Sequence, residues 1–318
     1  MKVLFIRFSS LGDIILTTGA IKYFKTNFPD ANIHVLTYSQ FAQLYDGLEF
    51  IDKIIPLNKN ISFVKYISFV KQNSQNYDYI IDLHSNLRSK LFALTLGKNY
   101  LHYNKLSLKR RLFSKYRLFK NDLRKHVVER YFNILKDKFN LTLSNPESLE
   151  EIRPFIKQYA KMEKGRIVLH PFASKKTKEW PYFNVLATKL LSHGFNIVIV
   201  GKGKFDKIGG ITDKTNKTSL KELLTELSKA ELVITTDSGP MHAAVALNKK
   251  TIAIFGPTTK EFGFYPIFEN CKIVENTTLE CRPCHVHGLN LCPKKHFKCM
   301  EEISADTVLN TSLELLKK

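Results

Sequence analysis

The stretch Glu231-Leu232-Val233-Ile234-Thr235-Thr236-Asp237-Ser238-Gly239-Pro240-Met241-His242-Ala243-Ala244-Val245-Ala246-Leu247 leaves few folds open to this chain. Its apolar opening reads as a buried strand, and the small apolar residues after Pro240 read as a helix packed on that strand. A strand that turns tightly into a helix is half of a parallel α/β unit. The turn places an acid, a hydroxyl and a glycine where a helix exposes unpaired N–H groups, and the free amides and the dipole there favour an anion. The amino terminus repeats the pattern: Lys2-Val3-Leu4-Phe5-Ile6-Arg7, then Ser9-Ser10-Leu11-Gly12-Asp13, then Ile14-Ile15-Leu16. Two such turns in two halves predict two α/β domains with a cleft between them and a phosphorylated ligand in the cleft.

The rest of the chain alternates in the same way. In the first half, strands are expected at residues 3–7, 33–37, 53–56, 79–83 and 100–103, with helices at 21–27 and 63–71. Residues 144–153 are polar, carry the breaker Asn145-Pro146, and read as a linker into a helix ending near Lys164-Gly165. A second alternation follows: strands at 166–169, 196–200, 232–235 and 251–255, and helices at 182–192, 220–228 and 304–317. Ser219 with Glu222 three residues on forms a capping box for one of these helices. This spacing predicts two doubly wound parallel sheets, which bind ligands beyond the carboxyl ends of their strands. The domains are expected at 1–153 and 154–303, with a terminal helix at 304–318 that could pack back on the first. No solenoid-length repeat is visible.

At 318 residues the chain is long for one core and comfortable for two. No apolar run approaches the length of a membrane span, and no cleavable leader is evident, so a cytoplasmic home is expected. The net charge of +20 calls for an anionic partner: a nucleic acid, a phosphorylated substrate or an acidic membrane face. From Arg88 to Arg130 the chain carries Lys90, Lys98, Lys105, Lys109, Arg110, Arg111, Lys115, Arg117, Lys120, Arg124 and Lys125 against Asp122 and Glu129. That run is either a solvated face or an anion-facing patch. Interleaved aromatics and a recognisable nucleic-acid motif are missing, so nucleic acid is not the expected partner.

Three constellations could carry chemistry. Asp13 is either a helix N-cap or a general base facing the cleft, with Gly12 allowing close backbone approach to a ligand. The loop His170-Pro171-Phe172-Ala173-Ser174-Lys175-Lys176-Thr177-Lys178-Glu179-Trp180-Pro181 could grip a diphosphate through Ser174 and Lys178, or be an exposed basic loop with Trp180 simply packing. Asp237, Ser238, Gly239 and His242 suit sugar hydroxyls and phosphate, with Asp237 as a plain cap the alternative. Late in the chain, Cys281, Cys284, Cys292 and Cys299 could form a structural zinc site, or stand as reduced thiols packed in a loop. The sequence holds no G-x-G-x-x-G fingerprint, P-loop, H-E-x-x-H or G-x-S-x-G motif.

These residues together resemble a known family. The segment 2–14, the pair His170-Pro171 with Lys178-Glu179-Trp180-Pro181, and Thr236-Asp237-Ser238-Gly239-Pro240-Met241-His242 followed by Phe255-Gly256-Pro257-Thr258 are similar, in order, to motifs of the ADP-heptose:lipopolysaccharide heptosyltransferases, glycosyltransferase family 9. Asp82-Leu83-His84-Ser85-Asn86-Leu87-Arg88-Ser89 is similar to a further family segment. The cysteine-rich tail looks most like the branch that adds the second heptose. The resemblance implies a GT-B fold, two Rossmann-like domains facing across a cleft, with the acceptor on the first and the nucleotide-sugar on the second. It implies Asp13 as base and Ser10, Gly12 and Arg88 on the acceptor side. It also implies Ser174 and Lys178 on the donor phosphates, Asp237 on the heptose, and Ser238, Gly239 and His242 on phosphate or sugar. Thr218 falls where adenine is held. The family often has a glutamate for the ribose after the strand at 198–200, where this chain offers only Asp206.

The resemblance therefore implies inverting transfer of heptose from ADP-heptose to the anionic lipid A-Kdo-heptose inner core of lipopolysaccharide or lipooligosaccharide. No Asp-x-Asp metal clamp is evident, so no metal is expected to be required for the chemistry, and the basic stretch near Arg88 to Arg130 is expected to hold the anionic acceptor and make peripheral contact with the inner membrane. Heptose addition directly to Kdo, a non-catalytic nucleotide-sugar-binding protein and a basic nucleic-acid-binding protein are the alternatives.

Overall fold

The computed structural model describes residues 1–73, 76–94 and 99–317, apart from the Leu94 side chain. Lys98 and Lys318 lie outside the described residues. The chain divides into two compact units: Met1–Lys105 with Val127–Lys157, and Leu106–His126 with Gln158–Lys318.

In the first unit, β1 (Lys2–Ile6), α1 (Leu11–Asn27), β2 (Asn32–Tyr38), β3 (Lys53–Leu57), α2 (Phe63–Gln72), β4 (Tyr79–Asp82), α3 (Leu87–Leu94) and β5 (Tyr100–His102) follow one another. The chain then leaves through α4 (Ser107–Tyr116), which belongs to the second unit, and returns with α5 (Val127–Phe139). The sheet is parallel throughout, in the order β3-β2-β1-β4-β5. Its central strand is wholly apolar after Lys2 and buried on both faces, as a strand covered by helices must be. The order reverses direction at β1, so the crevice beyond β1 and β4 is this unit's topological switch point. The expected helix at 21–27 is the second half of α1, a single 17-residue helix. Gly19 lets α1 lie against the turn at 150–152: a Cβ there would sit 1.9 Å from the Ile152 carbonyl oxygen.

The second unit contains β6 (Arg166–His170), α6 (Phe183–Ser192), β7 (Asn196–Ile199), β8 (Thr212–Asp213), α7 (Leu220–Lys229), β9 (Leu232–Thr236), α8 (Gly239–Ala246), β10 (Lys250–Phe255), β11 (Cys271–Glu275), α9 (Lys298–Glu301) and α10 (Ala305–Lys317). Its sheet is again parallel, in the order β11-β10-β9-β6-β7-β8, with the switch point between β6 and β9. The capping box of α7 forms as expected: Ser219 N–H donates to Glu222 at 2.7 Å and Glu222 N–H to Ser219 Oγ at 3.3 Å. Trp180 packs in the core with Phe183, and its indole N–H donates to the Ile303 carbonyl at 2.9 Å.

Three expectations differ from the structure. The helix expected to end near Lys164-Gly165 does not form, and residues 153–163 run without regular structure. Pro154 removes a donor and disfavours a helical residue before it. Side chains satisfy the backbone there instead: Phe155 N–H donates to Thr18 Oγ1 at 2.8 Å and Tyr159 N–H to Ser228 Oγ at 3.1 Å. The terminal helix α10 packs within the second unit, on α6, β10 and β11, through Val308, Leu309 and Leu315. Residues 106–126 fold with the second unit although they interrupt the first in sequence.

Candidate active site

In the first unit the candidate site is built on the turn after β1. Ser10 is the N-cap of α1 and Asp13 its third residue, so Asp13 is not the cap itself. The Asp13 carboxylate accepts from Ser10 Oγ at 2.7 Å and Ser10 N–H at 3.2 Å, and pairs with Arg7 at 2.9 Å. About a quarter of the Asp13 side chain is exposed, whereas Arg7 is buried. Arg7 is fully engaged: it donates to Ser9 O at 2.8 Å and to Leu83 O, and its guanidinium lies 5.8 Å from the Tyr131 ring centroid. Burial works against its charge, but Tyr131, Asp13 and Tyr103 outweigh burial and raise its pKa above the usual value. Arg7 therefore stays cationic, and Asp13 faces it as an oriented carboxylate. Gly12 is buried in the same turn.

The neighbouring crest, at the end of β4, is organised by Asp82. Its buried carboxylate accepts from His84 N–H at 2.8 Å, Ser85 N–H at 2.7 Å, Ser89 Oγ at 2.7 Å and Tyr100 OH at 3.0 Å. This explains the family-like segment from Asp82 to Ser89 as a self-bonded turn. Arg88 leaves it to donate to Lys59 O at 3.1 Å and Tyr38 OH at 3.3 Å. His84 is buried against Phe8, and burial, Arg7 and Lys105 push its pKa down to about 3, so it is neutral.

In the second unit the candidate residues gather at the switch point. Lys178 Nζ lies 2.6 Å from Asp237 Oδ2 and 3.3 Å from the Asp237 carbonyl oxygen. Thr258 Oγ1 donates to Asp237 Oδ2 at 2.7 Å. Burial alone would raise the Asp237 carboxyl, but Lys178, Thr258 and His242 outweigh it and hold it below the usual carboxylate range. Ser238 is the N-cap of α8, yet its hydroxyl does not cap. It lies instead 3.3 Å from His170 Nδ1 and 3.2 Å from Thr235 Oγ1. The amides of Gly239 and Met241 thus begin a helix whose own cap side chain is turned away, with Lys178 held on Asp237, which precedes the cap in sequence. Such a start accepts an anion. His242 is buried within the first turns of α8, edge-on to Phe264. His170 is pushed down to about 4 by burial and is neutral.

Ser174 is exposed on the loop after β6. The lysine-bearing turn next to it is fixed from below, because Thr177 N–H donates to Leu289 O at 3.0 Å and Leu289 N–H to Thr177 Oγ1 at 2.8 Å. Thr218 lines a cavity of about 340 Å³ along α7 with Lys214, Lys217, Glu222 and Glu226. Asp206 is exposed and accepts a hydrogen bond from Asn184 at the start of α6. The loops carrying Asp206 and Thr218 are stitched by Asn216, whose amide bonds Gly203 O at 2.7 Å and Gly203 N–H at 3.0 Å.

Among the described residues, no three His, Cys, Asp or Glu side chains form a group able to hold a metal, and Cys281, Cys284, Cys292 and Cys299 are free thiols. Cys281 Sγ lies 3.9 Å from His296 Nε2. The motif Cys281-Arg282-Pro283-Cys284 contributes its arginine instead. Buried Arg282 bonds Gly256 O, Asn276 O and Thr258 O (3.1 Å) and pairs with Glu275 at 2.6 Å, which fixes the turn presenting Thr258 to Asp237. Sequence reasoning missed Arg7 and Arg282, whereas the segment ending in Thr258 was expected to border this pocket, and Thr258 does reach Asp237. Arg7 was legible as a cation closing an apolar strand.

Two parallel Rossmann-like sheets, each with its polar residues gathered beyond the strand ends, are the two halves of a GT-B fold. The model of glycosyltransferase family 9 (heptosyltransferase) matches residues 68–295, and the chain belongs to that family. It is 30% identical to lipooligosaccharide heptosyltransferase 2 of Campylobacter jejuni subsp. jejuni serotype O:2, covering 96% of each chain. Its fold is shared with a family 9 glycosyltransferase from Veillonella parvula (TM-score 0.76, 18% identity, 99% and 97% covered) and with the E. coli ADP-heptose lps heptosyltransferase II (TM-score 0.73, 20% identity, 100% and 99% covered). The chain is therefore an enzyme, and of the alternatives drawn from the sequence the non-catalytic binding module falls away.

Proposed function

We propose that this chain transfers heptose from ADP-heptose, with inversion, to a lipopolysaccharide or lipooligosaccharide inner core that already carries one heptose. The observation that carries the reading is the cluster at the second unit's switch point: Lys178 held by Asp237, and Asp237 by Thr258, beside an α8 start left uncapped by Ser238. Those groups suit a departing diphosphate. The similarity to a relative named lipooligosaccharide heptosyltransferase 2 supports the choice of sugar and acceptor.

In this reading Asp13 takes the proton of the acceptor hydroxyl. The oxygen bonds the heptose C1 as the C1–phosphate oxygen bond breaks, and ADP leaves with the bonding electrons. The transition state is oxocarbenium-like. Lys178, Ser174 and the amides at Gly239 and Met241 meet the charge that develops on the diphosphate. Asp237 and His242 bind heptose or phosphate oxygens, and Thr218 and Asp206 hold the nucleoside. Ser10, Gly12 and Arg88 line the acceptor side. The sequence carries no Asp-x-Asp metal clamp, so cation and amide charge are assigned the role a metal would have. The work is done in the cytoplasm, at the inner face of the inner membrane.

ADP release in the presence of ADP-heptose tests this. Turnover is expected with a core acceptor ending in one heptose, with none on a Kdo-only core, and EDTA should leave the rate within about twofold. Turnover on the Kdo-only core alone would reassign the chain to addition of the first heptose. No turnover on either would remove the reading.

A further inference from the structure

We propose that the segment Leu106–His126 is a docking surface for an anionic lipid bilayer, with Leu108, Tyr116, Leu118 and Phe119 entering the headgroup region. This deepens the functional reading above, resting on it for the lipid-borne acceptor alone. The segment has two faces. Its inner face is fixed to the second unit: Phe113 and Leu123 are buried with Phe262, and Arg110 lies buried with its guanidinium 5.2 Å from the Phe264 ring centroid. Arg117 turns inward to Pro283 O at 2.9 Å and Glu280 O at 3.0 Å, and His126 Nε2 meets Tyr265 O at 2.9 Å. The apolar side chains left outside are therefore mounted on a base whose own apolar residues are already buried.

The outer face is what needs explaining. Leu108 is 69% exposed, Tyr116 56%, Leu118 52% and Phe119 42%. Four of the fourteen large apolar side chains exposed among the described residues thus fall within twelve positions, which scattered surface residues would not do. Cations surround them. Leu108, Arg111 and Lys115 share one face of α4 at helical spacing, and Lys115 Nζ lies 5.0 Å from the Tyr116 ring centroid. The segment carries eight Lys and Arg against Asp122 alone, and Lys109 neutralises that acid at 2.8 Å. Arg111, Lys115, Lys120, Arg124 and Lys125 are all exposed.

Apolar side chains set among long cations are the composition of a surface-lying membrane element, where the apolar tips leave water and the cations stay with anionic headgroups. Tyr116 and Phe119 offer rings on which a base could stack, but Leu108 and Leu118, the first more exposed than either, give a nucleic acid nothing to stack on or hydrogen-bond. For a bilayer they supply the part of binding that salt cannot screen. A lipid-borne acceptor would then be sought in two dimensions.

Vesicle co-flotation tests the surface with no sugar present. The full chain is mixed with neutral phosphatidylcholine vesicles or with vesicles containing about 30% phosphatidylglycerol. Partition is expected to be at least about tenfold higher on the anionic vesicles, and to fall about tenfold in the L108S/L118S/F119S variant and in the R111Q/K115Q/R124Q variant. Both variants alter exposed residues, so thermal melting and ADP release with a soluble, deacylated acceptor should stay unchanged. Equal partition of variants and wild type would overturn the proposal. So would salt-sensitive binding to a DNA or RNA oligonucleotide that displaces the vesicles and ignores the apolar substitutions. Vesicle binding without any heptosyl transfer would leave this surface standing and remove the functional reading instead.

Discussion

Arg7 shows how much a single side chain can decide at the first crest. A buried guanidinium needs hydrogen-bond acceptors for its nitrogens, and each of the three in Arg7 has one: Ser9 O, Leu83 O and Asp13. The Asp13 carboxylate is consequently aimed by three groups, Arg7 and the two donors of Ser10, while part of it faces solvent. Aiming and chemistry can be separated by substitution. Asp13→Asn keeps a group that accepts from Ser10 but cannot take a proton, and should lower kcat by about 10²–10⁴-fold; because it also removes the counter-charge of buried Arg7, the urea midpoint should fall with it. Arg7→Gln should act on stability, costing about 3 kcal/mol because it leaves Asp13 beside a poorly satisfied interior. Urea unfolding and ADP-release kinetics on both variants check the pair. An Asp13→Asn enzyme with near-normal turnover would take the base role from this residue. Asp13 was visible in the sequence by its place after an apolar strand. Its position inside the helix, rather than at its cap, depends on Ser10 and Arg7 reaching it in space.

The elements were legible where apolar periodicity and a polar turn coincided, as in β1, β6, β9 and the capped α7. They were obscure where packing overrode a local signal. The run before Gly165 reads as a helix from the sequence, but Pro154 and hydrogen bonds to the Thr18 and Ser228 hydroxyls leave it without regular structure. Helix α1 was read in two pieces because Thr17, Thr18 and Gly19 interrupt its apolar pattern. The same residues are buried there, with both threonine hydroxyls bonded back to the carbonyls of Ile14 and Ile15 at 2.6 Å. Gly19 sets two effects against each other. Alanine in a helix interior is favoured over glycine by about 1 kcal/mol. Its Cβ, however, would lie 1.9 Å from a backbone oxygen that cannot rotate away. Overpacking of this kind costs about 1–3 kcal/mol or more, so Gly19→Ala should be destabilising despite its propensity. Gly209→Ala is the control, since nothing lies within 4 Å of its added Cβ. It should be neutral or stabilising by up to about 1 kcal/mol. Thermal melts of the two variants decide the matter: a stabilised Gly19→Ala would mean that α1 and the 150–152 turn do not meet as closely as described.

At the scale of the whole molecule, charge and buried histidines make acid the condition to watch. The chain already carries +20 at neutral pH, so each further proton adds self-repulsion. Three histidines resist protonation while folded: burial lowers His34 to about 4, aided by Lys2 and Lys53, lowers His84 to about 3, aided by Arg7 and Lys105, and lowers His170 to about 4. They are shared between the two units. An unfolded histidine titrates near 6.5, so between that value and the lowered one the unfolded chain binds more protons than the folded one. The stability these groups contribute is complete above about pH 6.5 and is lost as the pH falls toward their folded values. The Asp237 carboxyl, held low, keeps its contribution across that window and loses it only further down, as the pH falls through its folded value. His170 alone can account for about 3 kcal/mol between pH 6.5 and 4. A His170→Gln variant, which keeps a neutral polar group near Ser238 and Thr235, should begin less stable at pH 7.5 and then lose less on acidification than the parent. Urea unfolding at constant ionic strength from pH 7.5 to 4 measures both slopes. If the two slopes coincide, His170 takes up its proton in the folded protein as readily as in the unfolded chain, and no neutral imidazole holds the Ser238 hydroxyl away from α8 at acid pH.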